Sequence, residues 1–308
     1  MKTSKDMYDH ITVAPVTPAI GAEIGGVDLA LPLGSDVRRE IHTALMRHQV
    51  VFFRDQDISP GQFAAFARPW GRLRRARKAA FELLEDAPEV SVLINDEERP
   101  PNVNHFHPDG IFREEPEFAS ILHAQEAPEF GGDTIFVSMI EAYEALSDEM
   151  KKYIEGHTAT HDFMKLHSSP QKARSWKGDN AARMAAMAKD HPPVSHPMVH
   201  AHPVTGQKSL YVSESFTSHI DGVSREESDA VLLELYRHYE RPEFQCRFRW
   251  RIHSIAFWDN RATLHYAVAD YWPERRRMNR MTIETDALGE GGGYVGGHAG
   301  GEVVGEVA

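Results

Sequence analysis

The stretch Ile255-Ala-Phe-Trp-Asp-Asn-Arg-Ala-Thr-Leu-His265 combines a strand, a turn and a histidine. Its first four residues are apolar and strand-forming, and they end at Asp259-Asn260, a pair typical of turns. Similar β-rich segments recur along the whole chain: Ile11–Val16, Val50–Arg54, Glu89–Ile94, Ser120–Ala124, Thr134–Val137, Met198–His202, Leu210–Val212, Phe244–Ile252 and Met278–Thr285. The chain is therefore predicted to be mostly β.

Helical patterns interrupt these segments in three places. Ser35–His48 places apolar residues on one face behind a serine cap, and Ser138–Ile154 repeats that pattern as a single helix. Ser224–Tyr239 opens with Ser224-x-x-Glu227, the spacing of a capping box. His202–Ser209 is typical of a hairpin turn between two strands. Many strands with few, separated helices favour an antiparallel core with flanking helices over a βαβ repeat.

Three segments depart from this alternation. Arg72–Lys78 is a basic run in an acidic chain, interpreted either as a lid that attracts an anionic substrate or as a solvated surface helix. If it is a lid, exchanging Arg74, Arg75 and Arg77 for Gln should raise the KM of the primary substrate. Pro170–Pro193 is predicted to be a mobile insertion that contains a helix. Gly289–Ala308 is glycine-rich and aromatic-poor, which indicates a flexible tail or an arm on a partner subunit.

Composition excludes several classes of protein. The 308 residues carry 46 acidic and 34 basic side chains, a formal charge of −12 that argues against general nucleic-acid binding. A single cysteine, Cys246, excludes a disulfide framework and any cysteine-based zinc or iron–sulfur centre. The polar start MKTSKDMYDH lacks the apolar region of a secretory signal, and no apolar run approaches the ~20 residues that span a bilayer. We therefore expect a cytoplasmic protein.

Histidine is abundant, with 18 in the chain, and one of them begins the motif His107-Pro108-Asp109. Imidazole and carboxylate at i and i+2 lie on the same side of an extended strand, where they could bind one ion together. With a third ligand from elsewhere they would form the two-histidine, one-carboxylate set typical of non-haem Fe(II). Composition alone predicts ~2.7 such pairs, however, because acids are frequent. The other two pairs are interpreted as structural: His219/Asp221 in a loop before a helix, and His238/Glu240 at a helix end.

The pattern that follows His107 resembles the taurine dioxygenase (TauD/TfdA-like) branch of the Fe(II)/2-oxoglutarate dioxygenases. The resemblance runs through Gly21–Leu29, Gly131-Gly-Asp-Thr134, Ala256–Arg261 and Tyr271–Arg280, and it spans residues 11–285. It implies a double-stranded β-helix, the jelly-roll or cupin-like core, which agrees with the strand-rich pattern. We therefore expect a dioxygenase domain over residues 1–285 and a flexible tail over residues 286–308.

The resemblance also implies roles for five residues. His107, Asp109 and His265 match the three iron ligands, and Asp109 excludes the related halogenases, which carry Gly or Ala there. Thr134 and Arg276 match the residues that contact the distal carboxylate of 2-oxoglutarate, and a guanidinium suits this task because it pairs bidentately with carboxylate. The implied reaction uses Fe(II), 2-oxoglutarate and O2, hydroxylates a small anionic substrate and releases succinate and CO2.

The substrate is less well defined. Arg280 matches the family position that meets the anionic end of the substrate, and Phe216 matches an aromatic wall of the pocket. The asparagine expected four residues before the first ligand is Val103, with Asn104 beside it as the candidate contact. His105 is expected beside the ligands or facing substrate. Taurine itself is not favoured, because the histidine and tyrosine that a taurine enzyme supplies after the Trp70-Gly71 position are missing.

Two other classes of protein remain open at this point. A jelly-roll protein that binds metal or small acids without turnover would keep the histidines, but it would not need Thr134 and Arg276. A zinc hydrolase could use the same three ligands, but it would not need an arginine eleven residues beyond the last one. The resemblance further implies a small-molecule substrate, no nucleic-acid or membrane partner, and a homo-oligomer, either a dimer or a tetramer.

Overall fold

A computed structural model describes residues 8–75, 82–167 and 180–289 of the chain. Most of its regular structure is β, as predicted. The strands in chain order are β1 (Thr12–Pro15), β2 (Ala22–Gly25), β3 (Val50–Phe53), β4 (Glu82–Leu84), β5 (Ala87–Asn95), β6 (Ala119–Glu126), β7 (Thr134–Ser138), β8 (Thr158–His161), β9 (Val194–Pro197), β10 (Val199–Ala201), β11 (Lys208–Leu210), β12 (Thr217–Ile220), β13 (Gln245–Phe248), β14 (Ile255–Asp259), β15 (Thr263–Ala267) and β16 (Arg276–Ile283).

Helices flank this strand framework. They are α1 (Ser35–His48), α2 (Pro60–Ala67), α3 (Met139–Glu144), α4 (Asp148–Glu155), α5 (Phe163–His167), α6 (Asn180–Asp190) and α7 (Arg225–Tyr239), with short 3-10 turns at Arg68–Trp70 and Pro242–Phe244. None of the helices in the described part of the chain has both the length and the apolar character needed to cross a membrane.

The largest sheet has the strand order β1-β2-β3-β14-β6-β16-β5-β4, and all its pairs are antiparallel except β2 with β3. A three-stranded sheet, β13-β7-β15, packs against one face of it. A second three-stranded sheet, β12-β8-β9, and the β10-β11 hairpin complete the framework. The predicted jelly-roll core of packed antiparallel sheets is confirmed.

The alternation of side chains along the central strands separates two apolar layers. Val51, Phe53 and Phe257 point to the face covered by α1 and α2 and form the outer core. Phe52 and Trp258 point the other way and pack between the two sheets with Phe136, Phe248, Leu122 and Met278. This inner layer matters for function, because the candidate site residues lie at its edge.

The helix predicted over Ser138–Ile154 was wrong as a single element. It is divided into α3 and α4, because Ser147 accepts a hydrogen bond from the backbone N–H of Met150 at 3.2 Å and starts a new helix. Helix α1 has the predicted bounds, but its N-cap is Gly34 without a side-chain cap. For α7, Ser224 caps the N–H of Glu227 as expected, whereas the Glu227 carboxylate accepts a hydrogen bond from Tyr153.

The hairpin predicted at His202–Ser209 is confirmed, since β10 and β11 pair on either side of it. The insertion predicted at Pro170–Pro193 contains α6, but residues 168–179 lie outside the described residues. Gly289 is the last described residue, so most of the predicted tail also lies outside them. Asp286 is buried at 3% exposure and contacts His42 and Arg261, so folded contacts continue beyond residue 285.

Candidate active site

Backbone pairing brings the two predicted histidine ligands together. His107 lies in a loop and forms one isolated β-bridge with His265 of β15, through N–H to carbonyl bonds of 3.0 and 2.9 Å. The two imidazole centroids are 4.2 Å apart. With Asp109 they form a cluster in which one ligand atom from each residue lies within 4.8 Å of the others. The extended strand expected at His107–Asp109 is reduced to this single bridge, yet it still gathers all three side chains.

Hydrogen bonds define which imidazole nitrogen is available at His107. Its Nδ1 donates to the carbonyl of His105 at 2.9 Å, which leaves Nε2 with a free lone pair. His265 Nδ1 is buried and has no hydrogen-bond partner among the described residues. The indole of Trp258 packs against the His265 ring at a centroid distance of 4.9 Å. The cluster therefore presents nitrogen donor atoms that no protein group saturates.

Burial controls the protonation of the two histidines. It lowers the pKa of His107 to about 3, with a further contribution from neighbouring His265, and it lowers the pKa of His265 to about 4. Both rings are therefore neutral near pH 7, the form in which imidazole binds a metal ion. Two neutral nitrogen donors with a carboxylate fit a divalent transition metal ion such as Fe(II).

The third member, Asp109, is held as a carboxylate. Burial acts to raise its pKa, but the charge of the Arg280 guanidinium, aided by the hydrogen bond from Ser120, outweighs burial and keeps the pKa of Asp109 well below its usual range. Oδ2 of Asp109 lies 2.6 Å from Arg280 Nη2 and accepts a hydrogen bond from Ser120 Oγ at 2.7 Å. The predicted substrate residue Arg280 thus contacts a predicted metal ligand directly.

The predicted 2-oxoglutarate residues, Thr134 and Arg276, are both buried, at 3% and 6% exposure. Trp250 links them: its indole N–H donates to Thr134 Oγ1 at 2.9 Å, and its ring lies 5.8 Å from the Arg276 guanidinium. Because an indole N–H can only donate, the Thr134 hydroxyl accepts this bond and keeps its own hydrogen for another acceptor. A ligand carboxylate is such an acceptor.

Strand alternation aims these residues at the same interior as the triad. Thr134 and Phe136 lie on one face of β7, and Phe136 is the register partner of His265. On β16, Arg276 and Arg280 share a face with buried Met278 between them. Arg276 and Arg280 therefore line the inner layer rather than the helix-covered layer.

Arg276 carries an incompletely satisfied charge. Its Nε has no hydrogen-bond partner among the described residues, although a hydrogen bond joins the guanidinium to Tyr271. Burial lowers the pKa of Arg276, but an arginine stays charged at any physiological pH. A buried cation with a free N–H is suited to receive a carboxylate.

The glycine turn before Thr134 has a geometric requirement. Gly131 and Gly132 have φ values of +74° and +68°, in the left-handed region that favours glycine. The N–H of Gly132 donates to Asp270 Oδ1 at 2.8 Å, and a Cβ on Gly131 would lie 2.5 Å from that same oxygen. This close approach fixes the start of β7 and hence the position of Thr134.

The other predicted substrate residues are less central. Phe216 is buried at 4% exposure, packs with Ile111 and Tyr211, and lies 4.9 Å from the Phe112 ring by centroids. Asn104 is exposed. His105, which we expected beside the ligands or facing substrate, lies with its ring 4.9 Å from that of His107.

The two histidine–acid pairs interpreted as structural are not part of the cluster. Asp221 accepts hydrogen bonds from Thr158, Thr160 and Ser195, and His238 bonds the carbonyl of Ala142.

The described part of the basic run is engaged in ion pairs. Arg72 and Arg74 both contact Glu284, and Arg74 also contacts buried Glu117. Leu73 forms a β-bridge with Ile283, so residues 72–75 are not the surface helix that we considered. Residues 76–78 lie outside the described residues, and the lid role stays a prediction.

Sequence reasoning missed two residues that complete the site. Ser120 was included only as the start of a strand, and Trp250 only as part of another. Their partners, Asp109 and Thr134, are 11 and 116 residues away along the chain. The alternation of β6 could have indicated Ser120, because a polar residue on the inner face of a buried strand requires a partner.

Comparison with known proteins gives a consistent result. The family model described as "Taurine catabolism dioxygenase TauD, TfdA family" matches residues 12–282. An alpha-ketoglutarate-dependent sulfate ester dioxygenase of Pseudomonas putida is 31% identical, with 89% of each chain covered. An alpha-ketoglutarate-dependent 2,4-dichlorophenoxyacetate dioxygenase of Cupriavidus pinatubonensis is 31% identical, with 90% of this chain and 99% of that protein covered. The crystal structure of AAD-2 in complex with Mn(II) and N-oxalylglycine superimposes with a TM-score of 0.74 at 30% identity, covering 89% of this chain and 96% of the other.

Proposed function

The chain belongs to the TauD/TfdA family of dioxygenases, and we propose that it oxidises a small anionic organic substrate with Fe(II), 2-oxoglutarate and O2. Like its relatives, it is a 2-oxoglutarate-dependent dioxygenase. The observation that carries the proposal is the buried cluster of two neutral imidazoles and one carboxylate, with ligand atoms within 4.8 Å. The alternative of a non-catalytic binding protein has no support, since the relatives are enzymes.

In this proposal His107, Asp109 and His265 hold the metal ion. His107 offers Nε2, because its Nδ1 is bonded to a carbonyl, and Asp109 offers Oδ1, because Oδ2 is bonded to Ser120 and Arg280. Three protein ligands leave positions for 2-oxoglutarate and O2. When bound, Fe(II) supplies the oxidising chemistry that releases succinate and CO2 and hydroxylates the substrate.

Thr134 and Arg276 bind the distal carboxylate of 2-oxoglutarate. Arg276 supplies a charge and N–H donors in a buried setting, where a charge-assisted hydrogen bond is stronger than in water. Thr134 donates its hydroxyl hydrogen, because Trp250 already occupies a lone pair of the oxygen. Together they fix which end of the co-substrate faces the metal cluster.

Arg280 and Phe216 are proposed to bind the substrate, with Asn104 as a further contact. An anionic substrate group competes with Asp109 for the Arg280 guanidinium, so binding rearranges an ion pair beside the metal cluster. Phe216 offers an apolar surface to the carbon body of the substrate. The names of the relatives point to sulfonates, sulfate esters and aryloxy acids as the classes to test, with amino-acid derivatives as a further class.

An anaerobic titration tests the reaction class. Fe(II) and 2-oxoglutarate added to the protein should produce the weak visible charge-transfer band of a 2-oxo acid chelated to Fe(II). Loss of the band in Arg276→Gln at subsaturating 2-oxoglutarate would support the assigned roles. A folded protein without the band would contradict the proposal, and a zinc hydrolase would give that result.

A second experiment addresses the substrate. Succinate release should be measured with panels of sulfonates, sulfate esters, aryloxy acids and amino-acid derivatives. We expect taurine to be a poor substrate and an anion with a larger apolar body to be better. Dependence of succinate release on taurine alone would contradict this substrate proposal.

Four further properties remain proposals. A homo-oligomer, dimer or tetramer, would be tested by sedimentation, and a cytoplasmic location by cell fractionation. The boundary predicted between a dioxygenase domain at residues 1–285 and a tail would be tested by limited proteolysis, with cleavage expected only beyond buried Asp286. We propose that nucleic acid is not a partner, because the net charge of −12 opposes phosphate binding.

A further inference from the structure

We infer that Ser120 is the residue that positions Asp109 for metal binding, at the end of a one-directional hydrogen-bond relay from Trp258 through Asn260. This inference rests on the proposed function, because it takes Asp109 as a metal ligand. Ser120 is not itself a proposed metal ligand; its hydroxyl contacts the ligand Asp109 and, at 3.5 Å, the proposed substrate residue Arg280. It acts on the metal through the orientation of the Asp109 carboxylate.

The relay starts at a group that can only donate. The indole N–H of Trp258 donates to Asn260 Oδ1 at 2.8 Å. This bond fixes the orientation of the Asn260 amide, so its NH2 group faces the other way. There, Nδ2 of Asn260 donates to Ser120 Oγ at 3.3 Å.

The Ser120 hydroxyl is then left with one role. A hydroxyl has two lone pairs and one hydrogen, and the lone pairs receive Asn260 Nδ2 and, at 3.5 Å, Arg280 Nη2. The hydrogen is directed to Asp109 Oδ2 at 2.7 Å, an oxygen that can only accept. Every hydrogen-bonding capacity of Ser120 is therefore used, and its proton can point only toward Asp109.

The consequence for Asp109 is a distinction between its two oxygens. Ser120 and Arg280 both bind Oδ2, so Oδ1 is the oxygen left for a cation. This arrangement favours a one-oxygen ligand and prevents rotation of the carboxylate. Groups that orient a ligand in this way typically change metal affinity about 10- to 100-fold when removed.

The sheet makes the relay rigid. Trp258 on β14 is the register partner of Ser120 on β6, and both side chains point into the inner layer. Ser120 and Asn260 are buried, at 0% and 3% exposure, so water does not compete for these bonds. Trp258 also packs on the ring of His265. The indole of Trp258 thus contacts His265 directly and orients Asp109 through Asn260 and Ser120.

The test is the affinity of the metal-free protein for Mn(II), measured by calorimetry without 2-oxoglutarate or substrate. Ser120→Ala should weaken Mn(II) binding about 10- to 100-fold, while Ser120→Thr, which keeps the hydroxyl, should stay within a few-fold of wild type. Ser209→Ala is the matched control: Ser209 is equally buried, and its hydroxyl bonds the carbonyl of Arg261. It should leave Mn(II) affinity unchanged. Thermal unfolding of each variant checks that it is folded.

Asp109→Ala separates this inference from the proposed function. If Asp109→Ala weakens Mn(II) binding but folded Ser120→Ala does not, the relay is overturned and the metal site stands. If Asp109→Ala binds Mn(II) as wild type does, the metal site itself is wrong. Should Ser120→Ala not fold, Asn260→Leu decides, because it removes the amide that links Trp258 to Ser120 and keeps the contact between Trp258 and His265. Unchanged affinity in Asn260→Leu would then overturn the relay, and weakened affinity would support it.

Discussion

Two buried groups of histidine, carboxylate and arginine side chains behave differently, although each has a member in the segment from Asp259 to His265. The first is the metal cluster of His107, Asp109 and His265 with Arg280. The second contains Asp259, six residues before His265, and we call it the clamp; its members are His42, His202, Asp259, Arg261 and Asp286. Both groups are built from the same residue types, and both are largely closed to solvent.

The clamp is saturated. Arg261 contacts the carboxylates of Asp259 and Asp286, with Nε 2.9 Å from Asp259 Oδ1 and Nη2 3.1 Å from Asp286 Oδ2. His202 bonds the other oxygen of Asp259 at 2.9 Å, and His42 bonds Asp286 at 3.0 Å. These contacts join α1, the β10-β11 hairpin, the β14-β15 turn and the end of the described chain.

The metal cluster, by contrast, retains nitrogen and oxygen atoms that its described neighbours do not use. His265 Nδ1 has no partner among the described residues, and Asp109 uses one oxygen for two partners. The two imidazole rings lie side by side, with their centroids 4.2 Å apart. Spare donor atoms at short distance indicate ligand binding, whereas full pairing indicates a structural role. Residue type alone does not distinguish the two groups.

The largest expected effect is a loss of activity without a comparable loss of stability. Asp109→Ala should abolish substrate-dependent succinate formation, because it removes the one charged ligand and leaves the Arg280 guanidinium unpaired, and that charge repels a divalent cation. Stability should fall less than in the clamp, because the Arg280 side chain is 23% exposed and water can hydrate it once its partner is gone. Succinate assays and urea unfolding measure the two quantities. Asp221→Ala, in a carboxylate outside both groups, is the control, and retained activity in Asp109→Ala would refute the iron site.

In the clamp we expect the reverse, a large loss of stability with no change in metal affinity. Arg261→Met leaves two buried carboxylates without their cation and should lower the free energy of unfolding by about 3–5 kcal/mol. The Mn(II) affinity of the protein that remains folded should not change. Urea unfolding and calorimetry below the transition test this. A lower Mn(II) affinity with unchanged stability would place the clamp within the metal site.

A smaller effect is expected at the 2-oxoglutarate end. Arg276→Gln removes a charged hydrogen-bond donor worth about 1.5–3 kcal/mol, so the KM for 2-oxoglutarate should rise about 10- to 100-fold. Arg277→Gln is the matched control, because the adjacent residue points to the opposite face of β16. Steady-state kinetics with varied 2-oxoglutarate measures the change. Equal effects of the two substitutions would contradict a specific contact.

The smallest effect concerns acid stability. Burial raises the pKa of Asp286, but bonding to His42 and the charge of Arg261 outweigh burial and hold it below its usual value. A carboxyl with a lowered folded-state pKa stabilises above its unfolded pKa of about 4, and this stabilisation is lost as pH falls toward the folded pKa. Asp286→Asn should therefore flatten the loss of stability below about pH 4. Unfolding curves across that range test it, and an unchanged slope would argue against the pairing.

The sequence predicted the triad because order and spacing, together with the family resemblance, single out three residues. It predicted most strands of the inner layer for a simpler reason: apolar runs such as Val50–Phe53 are buried on both faces and lack polar interruptions. The strand that carries His265 was not predicted. Thr263–Ala267 follows a turn, and its pattern contains a polar ligand where a strand would ordinarily place an apolar residue.

The missed contacts are those that join distant parts of the chain. The clamp links His42 to Asp286 across 244 residues, and no local pattern encodes that distance. Ser120 likewise acquires its role only through strand register, and Trp250 acquires its role from the segment that follows β13. The break in the predicted helix at Ser147 is a local competition, in which a serine hydroxyl starts a second helix and the first one ends.

Strand β16 has a consequence for the length of the molecules that fit the site. Arg276 and Arg280 lie four residues apart on one face, which corresponds to about 13 Å along an extended strand. At one end of this span Arg280 contacts the carboxylate of Asp109, the proposed metal ligand, and at the other end Arg276 is the proposed anchor for a distal carboxylate. Removing two residues between them would shorten the span by about 7 Å but keep both guanidinium groups inward, whereas removing one would turn one of them to the other face. Strand β16 therefore determines the distance between the two guanidinium groups, and only insertions or deletions of two residues change that distance while both groups stay on the same face.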